Sequence, residues 1–159
     1  MWTVGLFCLL FCSLSAITAQ EECVDESAVI ASVGITNIRV VQQGQILKYQ
    51  KINANLGNGY NSNTGIFTAP RAGVYTVYLN GRSQKDKELY MALYLNNNNQ
   101  RIMTIFTSAN NKHGRTNNSA TLKLNKGDRL YVKAERDSYL WAEADNTFNS
   151  MTIQRVAFS

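Results

Sequence analysis

Residues 55–79, NLGNGYNSNTGIFTAPRAGVYTVYL, combine turn-forming residues with isolated aromatic side chains and continue directly into an alternating strand pattern. Three of the four glycines in this block, Gly57, Gly59 and Gly65, permit backbone conformations that residues with a side chain rarely adopt, and its asparagines suit turns. Pro70, the only proline of the chain, favours a bend before a strand that starts at Gly73. Such spacing is typical of a structural scaffold and does not resemble a catalytic loop.

The aromatic and glycine positions around this block follow a regular spacing. They are Tyr49, Asn55, Tyr60, Phe67, Gly73 and Tyr75, and Gly127-Asp128 opens a later strand pattern. This spacing closely resembles the globular C1q-type domain, a relative of the tumour-necrosis-factor fold, over roughly residues 30–158. Val77 and Leu79 replace two aromatic residues of the family pattern and keep the buried face apolar. No collagen-like repeat is present, so the resemblance is to a short collagen-less member.

Short alternating segments with turn signals between them predict about ten strands, and no helix-length amphipathic repeat is found. This pattern predicts an all-β sandwich or jelly roll, and by itself it does not exclude an immunoglobulin sandwich. The C1q resemblance implies the ten-strand jelly roll. The predicted strands cover 29–36, 46–52, 66–68, 73–81, 89–95, 102–107, 120–124, 130–134 and 151–158.

Two features of these segments bear on assembly and binding. The strand over 89–95 is apolar or aromatic on both faces, which predicts cover on both sides and suits packing against neighbouring subunits. The asparagine tract 96–99 is either a hairpin turn or an adaptable binding loop. The C1q resemblance itself implies a compact homotrimer.

The N-terminal residues predict secretion. Residues 1–19 are interpreted as a signal peptide, with an apolar run from Val4 to Leu14 and a small-residue cleavage site over 16–19. The alternative, a membrane anchor, needs about 20 continuous apolar residues, and this run is shorter. We therefore expect an extracellular protein without membrane insertion, with a mobile acidic segment at 20–28 and a globular domain at 29–159.

Removal of the signal peptide leaves Cys23 as the only cysteine, because Cys8 and Cys12 lie within the removed segment. An internal disulfide is then impossible in an oxidising compartment. Cys23 is a candidate for an interchain disulfide that joins subunits or trimers. The alternative is a free thiol without function.

The chain carries a formal net charge of +5, and four of its eleven acidic residues stand together in the segment 20–28. The remainder is therefore more basic than the total suggests. Its basic residues are scattered, which argues against a dedicated nucleic-acid groove, although a basic surface attracts polyanions in general. Acidic sugars, lipopolysaccharide and anionic cell surfaces are suitable partners. The alternative is that the basic residues only keep the surface soluble and bind no ligand.

Catalytic residues are scarce, which predicts a protein without enzymatic activity. His113 is the only histidine, so a multi-histidine zinc site cannot be built. No cofactor is expected, except that Asp137, Glu143 and Asp145 could bind calcium together with backbone oxygens. Their spacing matches no dedicated loop, and solvated loop charges are the alternative interpretation.

A late segment around Arg136, Tyr139 and Trp141 is the first candidate for ligand recognition. Exposed rings stack on sugar faces, and arginine binds carboxylates through two hydrogen bonds. Alternatively, Tyr139 and Trp141 pack into the core from a strand. A second candidate is a basic polar loop over 110–118 that holds Lys112 and Arg115.

This second loop also contains the sequence Asn117-Asn118-Ser119, which makes Asn117 a glycosylation candidate. The sequon can be used only if the loop is exposed. A sugar attached there would block ligands nearby.

These observations favour a secreted, trimeric C1q-type lectin or pattern-recognition protein of innate immunity, in which three weak sites act together. Its ligands would be glycans or other anionic microbial or cell-surface molecules. The alternative is an extracellular matrix protein that assembles through trimers, with Cys23 and calcium contributing. A secreted hydrolase is a third and more remote hypothesis.

Overall fold

The computed structural model describes residues 28–98, 100–110, 112–143 and 146–157. The regular secondary structure of these residues consists of β-strands alone. The predicted signal peptide, nearly all of the acidic segment and Cys23 lie outside them. None of the described segments forms a helix of the length and apolarity needed to cross a bilayer. The strands are β1 (Ile30–Gly34), β2 (Arg39–Val41), β3 (Lys51–Leu56), β4 (Tyr60–Asn61), β5 (Ile66–Thr68), β6 (Gly73–Arg82), β7 (Leu89–Leu95), β8 (Gln100–Thr107), β9 (Arg115–Leu124), β10 (Arg129–Ala134), β11 (Ser138–Leu140) and β12 (Ser150–Ala157).

Ten of these strands form two antiparallel five-stranded sheets. The first sheet has the order β3-β1-β12-β6-β9 and the second β4-β5-β10-β7-β8, while β11 and β2 form a separate ribbon. The sequential neighbours β5 and β6 lie in different sheets, so the chain crosses between layers as a jelly roll requires. The predicted all-β jelly-roll sandwich is confirmed.

The core lies between the two sheets and follows from period-2 alternation along each strand. In β6, Tyr75, Val77 and Leu79 are fully buried and belong to one core cluster with apolar side chains of β7 such as Leu89 and Met91. Each buried side chain of this kind contributes roughly 1.5–3 kcal/mol. Alternation in β6 therefore fixes which face of the first sheet is covered.

The outward face of the first sheet is uncharged at its centre. Thr76 lies opposite Thr121 in the β6–β9 register, and Tyr78 lies opposite Ser119 on β9 and Thr152 on β12. Tyr78 is 43% exposed on this face. The centre of this face thus carries hydroxyl groups, and at Tyr78 no other described segment of the chain covers it.

Three of the predicted boundaries are wrong. The strand expected over 46–52 lies instead at β3, because the preceding segment forms only an isolated bridge to β10 at Ile46 and one further backbone hydrogen bond at Leu47. Asn80-Gly81 is not a turn, since β6 continues to Arg82, paired with β9 over its whole length and with β12 as far as Asn80. The loop expected over 110–118 ends at Gly114, because β9 starts at Arg115 to pair with β6.

Strand β7 is covered on both faces, as its sequence predicts, but by side chains of the same chain. Ala92 and Tyr94 point away from the core and are buried together with Tyr131, against which Ile46 and Ile66 pack. The Tyr94 and Tyr131 rings stack with centroids 5.8 Å apart. The burial of this strand therefore needs no neighbouring subunit, contrary to the expectation.

Tyr94 also belongs to a polar cluster on the outward face of the second sheet. Its hydroxyl donates to Glu135 Oε1 at 2.6 Å, and Arg101 lies 3.3 Å from the other oxygen of that carboxylate. Burial, followed by the hydrogen bond to Glu135 and its charge, raises the pKa of Tyr94 to about 12. The hydroxyl is thus held in its protonated form as a donor.

The residues of the aromatic and glycine spacing are brought into direct contact. The Asn55 side chain accepts from the backbone N–H of Tyr60 at 3.0 Å and donates to its carbonyl at 2.9 Å. The Tyr60 hydroxyl in turn accepts from the N–H of Tyr49 at 2.9 Å and donates to its carbonyl at 3.2 Å. Two side chains therefore satisfy four backbone groups, two of them on the fully buried Tyr49.

The glycine and phenylalanine of this block fit each other as closely. A Cβ at Gly59 would lie 2.5 Å from a ring carbon of Phe67, so the ring requires glycine there. Phe67 in turn packs edge-on against Tyr75 with centroids 6.0 Å apart. Gly127-Asp128 joins the same region, because the N–H of Ala69 donates to the Asp128 carbonyl at 2.8 Å.

Replacing Gly65 by alanine should lower the free energy of unfolding more than the same change at Gly44. Both residues have positive φ, 77° and 81°, which for alanine costs about 1–2 kcal/mol. Only at Gly65 does the new Cβ meet backbone, 2.6 Å from the Leu47 carbonyl oxygen, whereas Gly44 has open space. Overpacking adds about 1–3 kcal/mol. Urea denaturation of both variants measures the difference, and equal losses would contradict the packing argument.

Replacing Tyr60 by phenylalanine should cost about 1–3 kcal/mol, because two buried backbone groups of Tyr49 lose their partner. Tyr139→Phe, in the β2–β11 ribbon and outside the core, is the matched control and should change stability by less than about 0.5 kcal/mol.

The same variant tests an alkaline dependence. Burial raises the pKa of Tyr60 from 10.0 to about 12, so between these values the folded state holds a proton that the unfolded state has lost. The resulting stability is complete below pH 10 and is lost as the pH rises towards 12. Chemical denaturation across this range should give a steeper decline for the wild-type protein than for Tyr60→Phe, and parallel curves would contradict the assignment.

Candidate functional site

An open groove of about 740 Å³ lies beside the edge of the second sheet. Val40 of β2 and the side chains of Ile46 and Ile66 give it apolar surface. Arg39 and Lys48 are the basic residues that line it. The remaining polar lining comes from neutral amide and hydroxyl groups, namely Gln45, Asn63 and Thr64. We call this cavity the basic groove.

The charged side chains that line the basic groove are positive. Its two cations have no acidic counterpart among the described lining residues, and Arg39 Nη1 donates to the backbone carbonyl of Lys48 at 3.4 Å. That contact holds the two basic residues on the same side of the groove. The arrangement combines apolar contact surface, neutral hydrogen-bonding groups and two positive charges, which suits an anionic ligand with many hydroxyl groups.

Tyr139 is brought next to the basic groove by the ribbon. In the register of β11 with β2, Tyr139 lies opposite Val40, so both side chains occupy the same face. Lys87 Nζ lies 4.9 Å from the centre of the Tyr139 ring, a cation–π contact. Tyr139 therefore does not enter the core, unlike its neighbours Ser138 and Leu140, which are buried.

Arg136 stands at the other end of this surface. Its guanidinium lies 3.7 Å from Glu88 and 5.5 Å from the ring centre of Tyr90. Tyr90 packs edge-on against Phe106, which is 50% exposed. Arg136 and these two rings form a further aromatic and basic patch on the outward face of the second sheet.

Trp141 lies elsewhere and is half-buried. Its ring centre is 4.4 Å from that of His113, and its backbone N–H donates to the Arg82 carbonyl at 2.8 Å. The structure therefore separates Trp141 from Tyr139 and places it at the end of β6. Lys112 and Arg115 are exposed near the same end, so the five predicted ligand residues do not form one site.

Asn117 is exposed but lies in β9, opposite Asn80 of β6, instead of in the expected loop. The calcium candidates are engaged in separate local contacts. Asp137 Oδ1 accepts from the N–H of Gln43 at 2.8 Å, and Glu143 accepts from the Asn146 side chain at 3.3 Å. Asp145 lies outside the described residues, among which no group of three acidic, histidine or cysteine side chains could hold a metal ion.

Sequence reasoning missed Arg39 and Lys48. Arg39 lies outside the predicted strands, and Lys48 lies within the incorrectly placed strand 46–52. The alternation of Lys48 with the buried Leu47 and Tyr49 is a signal that could have indicated an outward basic residue. Their convergence depends on the ribbon between β2 and β11, which no local pattern predicts.

The C1q domain family matches residues 31–153, and the chain belongs to this family. The resemblance stated from the spacing of the sequence is therefore confirmed.

Among curated proteins, the chain is 31% identical over 91 residues to the heavy metal-binding protein HIP of Mytilus edulis, a match that covers 55% of this chain. The chain spans only 41% of the length of that relative.

Solved structures share the fold at low sequence identity. The globular domain of the zebrafish complement 1qA protein has a TM-score of 0.62 at 15% identity, covering 82% of this chain and 98% of that domain. Eiger TNF from S. frugiperda gives 0.66 at 17% identity, covering 83% and 94%. Murine APRIL at pH 8.5 gives 0.62 at 14% identity, covering 81% and 99%.

Proposed function

We propose that this C1q-domain protein is a secreted, non-enzymatic binding protein that recognises anionic glycans or similar anionic surface ligands, as a trimeric lectin or pattern-recognition protein of innate immunity. C1q-domain proteins are often binding or immune proteins, and most are secreted. The observation that carries the proposal is the basic groove, where Arg39 and Lys48 face a ligand-sized cavity without an acidic lining residue.

The chemistry of the groove matches an acidic sugar in three respects. Apolar side chains such as Ile46 and Ile66 contact the C–H faces of a sugar ring, while Gln45 and Asn63 offer hydrogen bonds to hydroxyl groups. The planar guanidinium group of Arg39 can donate two hydrogen bonds to a carboxylate or sulfate. Tyr139, and Arg136 further along the surface, extend the contact area for a longer chain of sugars.

Self-association is supported by the outward face of the first sheet. Its centre carries Thr76, Tyr78, Thr121 and Thr152 and is free of charged side chains. Depletion of charge and enrichment in tyrosine are typical of the core of a protein–protein interface. A homotrimer formed through this face would leave the basic groove, which opens beside the other sheet, free for ligands and would combine three weak sites.

The alternative is an extracellular structural protein whose assembly involves metal ions such as calcium. The specific observation in its favour is the similarity to the heavy metal-binding protein HIP of Mytilus edulis. Because the chain spans 41% of that protein, its metal binding is transferred here only as a hypothesis.

The double variant Arg39→Gln/Lys48→Gln should weaken binding to immobilised heparin, lipopolysaccharide or acidic glycans at least tenfold at constant salt. Each charge-assisted hydrogen bond that is lost contributes about 1.5–3 kcal/mol. Surface plasmon resonance measures the affinity, and the salt dependence of binding should become shallower.

The matched control is Arg71→Gln/Lys123→Gln, which removes the same charge at two exposed positions outside the groove. It should change the affinity less than threefold. Equal losses in the two double variants would assign the binding to the general basic field and contradict a groove. Binding of calcium or heavy-metal ions by isothermal titration calorimetry, together with no glycan binding, would favour the structural alternative.

The secreted protein should have the mass of a trimer in size-exclusion chromatography with light scattering. If Cys23 links subunits, non-reducing gels should show a species at least twice the monomer mass, and Cys23→Ser should abolish it while leaving the trimer. A well-folded monomer at micromolar concentration would contradict the proposed assembly.

A further inference from the structure

A second pocket, of about 250 Å³, lies at the end of the first sheet where β6, β9 and β12 meet. Arg82 and Arg115 line it, together with Asn80, Asn117, Ser150 and the ring of Phe148. None of its described lining residues is acidic, and none of them belongs to the basic groove. We call it the strand-end pocket.

The two arginines form a like-charged pair that sheet stability does not favour. Arg82 and Arg115 are direct partners in the register of β6 with β9, and like charges at such positions destabilise a sheet. The ion pairs found within the described ranges, Arg101–Glu135 and Arg136–Glu88, involve neither of them. Local violations of this kind are expected at functional sites.

Arg82 is held in place by its surroundings. Its guanidinium carbon lies 4.3 Å from the centre of the Phe148 ring, and its backbone N–H donates to Oδ1 of the buried Asn149 at 2.8 Å. Its side-chain Nε is buried and has no hydrogen-bond partner in the structure. A buried charged donor without a partner is costly, so a bound acceptor at this position would be stabilised.

Neutral donors complete the lining. Asn80 Nδ2 lies 3.1 Å from Ser150 Oγ, which fixes the orientation of that amide, and Asn117 stands opposite Asn80 on β9. Two guanidinium groups flanked by amide and hydroxyl donors, in a cavity of this size, match the oxygens of a small planar or tetrahedral anion.

We propose that the strand-end pocket is a binding site for a single oxyanion group, a carboxylate, sulfate or phosphate, held between Arg82 and Arg115. The site goes beyond the proposed function because it has its own residues, and the failure of glycan binding in the basic groove would leave it unaffected. The group is either a free inorganic anion or the acidic substituent of a larger ligand.

The test uses protein from bacterial cells, in which Asn117 carries no glycan. Thermal unfolding and isothermal titration calorimetry are performed at constant ionic strength, with sodium chloride replaced stepwise by sodium sulfate, phosphate or glucuronate. The expected result is saturable binding with a rise in melting temperature. The anion that binds most tightly distinguishes an inorganic ion from a sugar carboxylate.

Arg115→Gln should weaken anion binding at least tenfold, and because Arg115 is exposed the variant should fold normally. Lys123→Gln is the matched control, since it removes the same charge from the same face of the same strand outside the pocket. It should retain the wild-type affinity. Arg82→Lys keeps the charge but loses the planar guanidinium group, which can donate to two oxygens of one anion. This variant should therefore bind the anion more weakly than the wild-type protein.

Non-specific stabilisation by sulfate would raise the melting temperature of all variants equally and without saturation, and that outcome would overturn the proposal. Light scattering in the same buffers separates binding from assembly. A stabilisation that follows protein concentration and oligomer mass would assign the effect to subunit association and would overturn it as well. If Arg82→Lys does not fold, the comparison of Arg115→Gln with Lys123→Gln decides the question alone.

Discussion

The hydrogen bonds between Tyr60 and the backbone of Tyr49 are the constraint on which the surface of this domain depends. The segment that leads to Tyr49 belongs to no regular strand, so its buried N–H and carbonyl have no sheet partner and rely on one phenol hydroxyl. Asn55 holds Tyr60 in turn through its backbone. Lys48 precedes Tyr49 directly, so the position of a basic wall of the groove follows from a contact made in the core.

The outward faces of the two sheets differ in the charge of the side chains at their centres. The first sheet carries hydroxyl side chains at its centre, with Tyr78 exposed, whereas the second carries aromatic rings in contact with Lys133 and Arg136. Charge beside a cavity attracts anionic ligands, and the uncharged centre of the first sheet suits the proposed contact between subunits. Arg82 and Arg115 lie on the same face as Tyr78 but at the end of the sheet. In the proposed assembly, the domain would associate through the centre of this face and keep its cavities for ligands.

Pairs of basic residues line both the basic groove and the strand-end pocket. Arg39 and Lys48 face the groove, and Arg82 and Arg115 face the strand-end pocket, all without an acidic residue in the lining. Since like charges in pairs reduce stability, their placement points to ligands instead of to the fold. The core itself needs none of these residues, because it is closed by apolar alternation in strands such as β6 and β7.

The sequence by itself determined the all-β class and the positions from Tyr49 to Tyr75, because period-2 alternation, glycine turns and aromatic spacing are local properties, whereas the jelly roll followed only from the resemblance to the C1q family. It could not place Trp141 beside His113 or separate it from Tyr139, since strand ends and the ribbon of β2 with β11 depend on pairing between distant segments. It also could not bring Arg82 opposite Arg115, because the register between β6 and β9 is set by the core. Only the tertiary structure decided which basic residues share a cavity.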